Sequence, residues 1–144
     1  MGLEDFDAIP TFVTRVVRVA DENPRLRRIT FGGGDLARFA PLGPDTFVYV
    51  LLPPPGRRDL TVDRSFTWLG WAATPEEDRA VGGYYTVRAW RPEPAEVDAL
   101  FELHEPAGPA SAWAARAEPG DPVALWGPRE AYAPPPGTEW LLLV

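Results

Sequence analysis

Tyr84-Tyr85-Thr86-Val87-Arg88 and, further along, His104-Glu105-Pro106-Ala107-Gly108-Pro109-Ala110-Ser111-Ala112-Trp113 are the two segments that decide the fold of this chain. The first is aromatic and β-branched and predicts a strand from Tyr84 to Trp90. The second predicts the end of a strand that turns directly into a helix. Gly108 serves as its N-cap. Pro109 suits the first helical position, where its missing N–H has no partner in any case. Ala110, Trp113, Ala114 and Ala117 recur at helical spacing, so the helix runs from Pro109 to Ala117 with one apolar face.

Outward from these segments, β-strand patterns dominate. Thr11 to Ala20 is rich in Val and Thr and reads as a strand, closed by a turn at Asp21–Pro24. Leu26 to Gly32 places Ile29 and Phe31 on one face and Arg28 and Thr30 on the other. Gly32-Gly33-Gly34-Asp35 ends it, and Leu36 to Phe39 allows at most one helical turn. Thr46 to Leu52 is apolar on both faces, as a central strand is. Glu96 to Leu103 aligns Val97, Ala99, Phe101 and Leu103, and Pro122 to Trp126 is a further strand. Met1 to Pro10 reads as a loose leader, and Arg57 to Gly83 as a long connection with one short strand. Trp140 to Val144, after the prolines at 134–136, reads either as the first strand of a further domain or as a strand completing this one.

With 144 residues the chain fits one domain with a real core. Its 18 Pro and 13 Gly argue against a helical bundle and for short strands joined by turns. The expected class is therefore mainly β: a six-stranded antiparallel, Greek-key-like barrel with one short capping helix.

Charge and composition exclude several functions. The net charge of -7 repels a nucleic-acid backbone, and no basic run exceeds Arg57-Arg58 and the Arg25/Arg27/Arg28 cluster. Without Cys there are no disulfides, thiolate nucleophiles or Cys-held clusters, and one His cannot form a multi-histidine metal site. No stretch resembles a signal peptide or approaches membrane length. A cytoplasmic protein with neither nucleic-acid partners nor membrane insertion is expected. There is no Walker loop, no G-x-G-x-x-G, no nucleophile elbow at Ser65 and no carboxylate pair at catalytic spacing, so no catalytic residue is assigned.

The deciding segments carry binding chemistry instead. Alternation points Tyr84, Thr86 and Arg88 one way and Tyr85 and Val87 the other. The strand is either half-buried packing, or a ring there covers a planar heterocycle while Thr86 bonds its edge. Tyr85 and Thr86 can share a ligand only across the strand's edge or end. Gly108–Ser111 is either an ordinary helix start or an anion socket. In the socket, the amides of Ala110 and Ser111 emerge unpaired at the positive end of the helix dipole, and the Ser111 hydroxyl adds a donor. His104 either fixes its loop or bonds a ligand edge. Arg88 either neutralises a diphosphate or pairs with Glu102. Trp68, Trp71, Trp90, Trp113, Trp126 and Tyr132 suit core and rim packing.

In order and spacing these residues resemble the siderophore-interacting protein family, NADPH-dependent ferric-siderophore reductases whose FAD-binding domain is a variant of the ferredoxin-reductase barrel. The family pattern is R-x-Y-[ST]-x-R, an F-x-L-H strand, G-P-A-S-x-W-A, a G-D turn and a strand ending in Gly-Pro. Here these read Gly83 to Arg88, Phe101 to His104, Gly108 to Ala114, Gly120-Asp121 and Gly127-Pro128, and the likeness runs from about Thr11 to the end. The resemblance implies FAD held by Tyr85, Thr86, Val87, Arg88, His104, Gly108, Ala110, Ser111 and Trp113. Tyr85 would lie against the isoalloxazine and Thr86 near N5. Arg88 and the Gly108–Ser111 helix start would hold the pyrophosphate, and His104 would line the cofactor. Gly83 departs from the pattern, standing where the family has its first Arg. Losing that charged hydrogen bond weakens FAD by ~1–3 kcal/mol unless Arg79, Arg64 or Arg91 replaces it.

The resemblance further implies that residues 1–138 are the FAD-binding barrel. Residues 139–144 would begin an NAD(P)-binding domain that this chain lacks. The whole reductase would pass electrons from NAD(P)H through the flavin to siderophore-bound Fe(III). Two alternatives stand beside it. One is a cofactor-poor binding module for a siderophore or a partner protein. The other is a small oligonucleotide-binding barrel, disfavoured by the charge.

Overall fold

Antiparallel pairing of the β-branched segments builds the architecture. In the computed structural model, which describes residues 3–142, the strands are β1 (Thr11–Asn23), β2 (Leu26–Gly32), β3 (Phe47–Leu52), β4 (Val81–Thr86), β5 (Ala89–Arg91), β6 (Glu96–Glu102) and β7 (Pro122–Arg129). They form one seven-stranded sheet in the order β4-β3-β7-β1-β2-β6-β5. The mainly-β expectation holds. The six-stranded Greek-key-like barrel does not: among the described residues there are seven strands in one sheet that is not closed, and no ladder joins β4 to β5 or β6.

The difference has one cause. The segment read as a single strand, Tyr84 to Trp90, is broken at Val87-Arg88, and its halves lie on opposite edges of the sheet. Laid flat, seven strands span roughly 29 Å at ~4.8 Å per spacing. The residues joining β4 to β5 reach about 11 Å at most. The sheet must therefore curl until its edges approach each other. Two backbone bonds fix the corner: the Val87 amide donates to the Thr46 carbonyl and the Arg88 amide to the Asp98 carbonyl, each at 2.8 Å. Thr46 itself is pinned, because its hydroxyl accepts the amides of Leu42 and Gly43, both at 2.8 Å.

The remaining opening is covered by α3 (Pro109–Arg116), which packs on β4, β6 and β2. Trp113 and Ala114 face inward as their spacing predicts. The core inside the curl is built from Ile29, Phe31, Val48, Val50, Val97 and Phe101, with Trp113 closing it. A second apolar cluster lies outside the curl on β3 and β7, around Leu51, Ala124 and Trp126.

That outer cluster is covered by segments whose sequence reading was different. The expected loose leader contains a helix, α1 (Leu3–Asp7), whose Phe6 stacks on Trp126 at 5.8 Å. The long connection Arg57–Gly83 does end in strand, at the start of β4, but it also contains a helix that was not expected, α2 (Trp68–Ala73), capped by the Thr67 hydroxyl accepting the Gly70 amide at 3.0 Å. Trp68 meets Tyr49 and Trp126 edge-on at 4.9 and 5.4 Å, so tertiary aromatic packing selects this helix. The single capping helix is thus one of three short α-helices among the described residues. Trp140, Leu141 and Leu142 are exposed and form no strand; the rest of the segment expected there, 143–144, lies outside the described residues.

The outer face of β1, β2, β5 and β6 is held by charge rather than by apolar packing. Asp35, Glu96 and Asp98 are all nearly buried. Asp35 accepts the Val13 amide at 3.0 Å and the Arg64 guanidinium. Glu96 is bound by Arg18 and Arg91 at 2.8 and 3.0 Å. Asp98 takes Arg91, Thr30 and Arg28 at 2.6, 2.8 and 3.0 Å. The Arg64 bond leads in holding Asp35 below the usual carboxylate range, as the Arg18 bond does for Glu96. Burial is the largest single effect on Asp98 and pushes it up, but the bonds from Arg91, Thr30 and Arg28 together outweigh it and leave it low.

Carboxylates depressed in the fold stabilise it fully above their unfolded values near ~4, and that stability is lost as pH falls through the folded values below. The midpoint of urea unfolding, followed by Trp fluorescence, is expected to hold from about pH 7 to 5 and to fall below about pH 4. A midpoint unchanged down to about pH 3 contradicts this role for the acids.

Candidate functional site

The corner at Val87-Arg88 brings the deciding segments together. β4 is an edge strand and Thr86 is its last residue. The edge and the end of the strand are thus both free of ladder partners beyond β3. Tyr85 is half-buried and its ring stacks on Phe101 at 4.1 Å and 28°. Burial, with a smaller push from Tyr49, raises the Tyr85 phenol above its ordinary value, so it stays protonated at neutral pH. Tyr84 faces outward, 54% exposed, against Phe47 and Tyr49. Thr86 is exposed, and Val87 is half-buried with its amide spent on Thr46.

Across the opening, α3 begins as read. Gly108 is extended and makes no side-chain cap, and the first amide of the helix with a carbonyl partner is that of Ala112, bonded to Gly108 at 2.9 Å. The amides of Ala110 and Ser111 carry no partner among the described residues. Ser111 is 5% exposed, and its hydroxyl accepts the His104 amide at 3.1 Å. That bond ties the helix start to the end of β6 and leaves the hydroxyl proton free to donate. The His104 Nδ1 lies 2.9 Å from the Pro106 carbonyl, so Nδ1 carries the proton. Between β4, β6 and the start of α3 lies a cleft of about 380 Å³, lined by Gly82, Tyr85, Leu100, Glu102, His104 and Ser111 among others.

Not every expected site residue faces this cleft. Trp113 is 3% exposed and packs on Phe101 at 5.6 Å, so it anchors the helix from within the core. Thr86, Val87 and Arg88 do not line the cleft either, and the exposed Arg88 makes no pair with Glu102. The three arginines considered as replacements at position 83 are all engaged. Arg79 bonds the Thr74 and Ala72 carbonyls, Arg64 bonds Asp35, and Arg91 bonds Glu96 and Asp98. Among the described residues, the guanidinium groups without a hydrogen bond, ion pair or ring contact are those of Arg15, Arg25 and Arg88. The sequence reading missed Gly82, Leu100 and Glu102 as lining residues; two of them sit on β6 at the alternate positions leading to His104.

Similarity to known proteins agrees with this geometry. Residues 15–132 match the model of the siderophore-interacting FAD-binding domain. An uncharacterized protein of Mycobacterium tuberculosis is 30% identical over 135 residues, 93% of this chain and 48% of that protein. The ferric acinetobactin reductase of Acinetobacter baumannii is 34% identical over 62 residues, 43% of this chain and 22% of the reductase. A siderophore utilization protein from T. fusca superposes with a TM-score of 0.70 at 28% identity, covering 87% of this chain and 47% of that one. The chain thus spans about half the length of the full-length relatives it matches. With a family model matched over most of its length, a curled sheet and the deciding motifs gathered at one cleft, the chain belongs to the siderophore-interacting FAD-binding domain family.

Proposed function

We propose that this chain binds FAD in the cleft between β4, β6 and α3, as the flavin-holding half of an NAD(P)H-dependent ferric-siderophore reductase. The observation that carries the reading is the pair of amides at Ala110 and Ser111, without a partner among the described residues, opening a helix that faces the cleft beside the half-buried ring of Tyr85. Phosphate oxygens fit such amides and the dipole behind them. The described residues fit the cofactor: Tyr85 and Thr86 border the isoalloxazine from the strand edge, and Gly108, Ala110 and Ser111 take the diphosphate. His104 lines the turn between them. Arg88 supplies long-range positive charge at the corner rather than a contact in the cleft.

A bound flavin would supply the chemistry of taking up a hydride from a nicotinamide and releasing single electrons. This chain's residues position it. The Phe101 ring holds Tyr85 in place, and the Ser111–His104 bond holds the helix start against β6. Siderophore-bound Fe(III) is the electron acceptor in this reading and NAD(P)H the donor. The nicotinamide belongs to a domain expected to begin near residue 139. The named relatives support the assignment: one is a ferric acinetobactin reductase and one a siderophore utilization protein.

Titration of the purified protein with FAD tests the reading. Saturable binding with quenched flavin fluorescence is expected; unchanged fluorescence and spectrum contradict it. Gly83→Arg sharpens the test. A Cβ at Gly83 meets Tyr85 Cε2 at 3.6 Å, an ordinary contact, so a side chain can start there without a clash at its first carbon. It is expected to tighten FAD binding by about tenfold through one added charge-assisted bond. Unchanged affinity would show that Gly83 does not limit binding.

A further inference from the structure

We infer that the flavin groove continues past the start of α3 into a second cleft that receives the ADP half of the dinucleotide, with Arg25 as its phosphate ligand. The inference rests on the flavin reading above and adds to it a residue that no motif names. The second cleft, about 550 Å³, is lined by Pro24, Arg25, Glu102, His104, Glu105 and Ser111 among others. It shares Glu102, His104 and Ser111 with the cleft at Tyr85, so the two form one groove around the helix start.

Arg25 is held where such a ligand needs it. It lies in the turn between β1 and β2, where its amide donates to Asn23 Oδ1 at 2.9 Å. Its carbonyl accepts the Leu103 amide at 2.7 Å, which fixes its Cα beside the end of β6. The backbone is thus anchored on both sides while the guanidinium has no partner. Glu102 and Glu105 face the same cleft and are also exposed and unpaired.

This mixture selects among ligands. A bare anion entering here meets two carboxylates, and a bare cation meets a guanidinium and the positive end of a helix. A nucleotide satisfies both signs. Its phosphate oxygens accept from Arg25 and the free amides, and its ribose hydroxyls donate to a carboxylate, as in other dinucleotide sites. The cleft therefore discriminates FAD from flavins lacking the adenylate.

The test compares FAD and riboflavin binding by fluorescence titration in the wild type, Arg25→Ala and Arg15→Ala. Arg15 is likewise unpaired and lines neither cleft, so it controls for net charge. Arg25→Ala is expected to weaken FAD about tenfold, the usual worth of a charge-assisted bond, and to leave riboflavin unchanged. Arg15→Ala is expected to alter neither, and ADP is expected to compete with FAD in the wild type. FAD affinity untouched by Arg25→Ala overturns the inference while the flavin site stands. Equal losses of FAD and riboflavin overturn it too, since Arg25 would then act through the fold. A wild-type protein that binds neither flavin overturns the reading beneath it.

Discussion

Phe101→Ala is expected to destabilise the domain by ~3–5 kcal/mol, the usual cost of emptying a large buried aromatic site. Phe101 is 0% exposed and lies where three elements meet. Tyr85 of β4 stacks on it at 4.1 Å, Trp113 of α3 packs at 5.6 Å, and Phe31 of β2 lies edge-on at 6.4 Å. No ladder joins β4 to β6, so this ring cluster takes the place of backbone pairing across the opening. A total stability of ~5–15 kcal/mol leaves the variant marginal. Its second effect is functional: Tyr85 loses the surface that orients it. Phe101→Leu, which refills most of the volume, is expected to fold and still bind flavin more weakly. Guanidinium unfolding reads the first effect and FAD titration the second. A Phe101→Ala cost under about 1 kcal/mol would show that the rings do not close the sheet.

Gly82→Ala is expected to be as damaging, by at least ~3 kcal/mol, because it forces a strand apart. A Cβ at Gly82 would stand 1.7 Å from the Val50 carbonyl oxygen, a backbone atom that cannot move aside within the β3–β4 ladder. A glycine in a strand commonly marks such a close backbone approach. The neighbouring residue supplies the control. At Gly83 the nearest atom to an added Cβ is 3.6 Å away, so Gly83→Ala is expected to be neutral or slightly stabilising. Thermal unfolding of both variants checks the contrast. Equal midpoints would mean that β4 does not lie against β3 in this register.

These expectations show which levels of organisation the sequence carries. Strands such as Leu26–Gly32 and Glu96–Glu102 were legible because their faces alternate against one core. The start of α3 was legible because Gly108 and Pro109 are local signals that need no tertiary context. The break at Val87-Arg88 was not. Its residues continue a run of strong β-propensity, and what divides them is bonding to Thr46 on one side and Asp98 on the other. The seventh strand and the open edge follow from that division. α2 was hidden because two tryptophans and a glycine favour other structures, and the helix is selected by Tyr49 and Trp126 on distant strands. Within the site, Tyr85, Ser111 and His104 were legible as a motif. That Arg25 stays unpaired beside the cleft was not legible, since which of the 14 arginines lack partners is decided only when the acids find theirs.

The most direct test of the central claim is an amide-resolved NMR titration of the labelled protein with FAD and, separately, riboflavin. FAD is expected to shift the amides of Ala110 and Ser111 together with those around Tyr85, while riboflavin shifts the Tyr85 region alone. Saturable FAD binding that leaves Ala110 and Ser111 unmoved would contradict the assignment of the diphosphate to the start of α3.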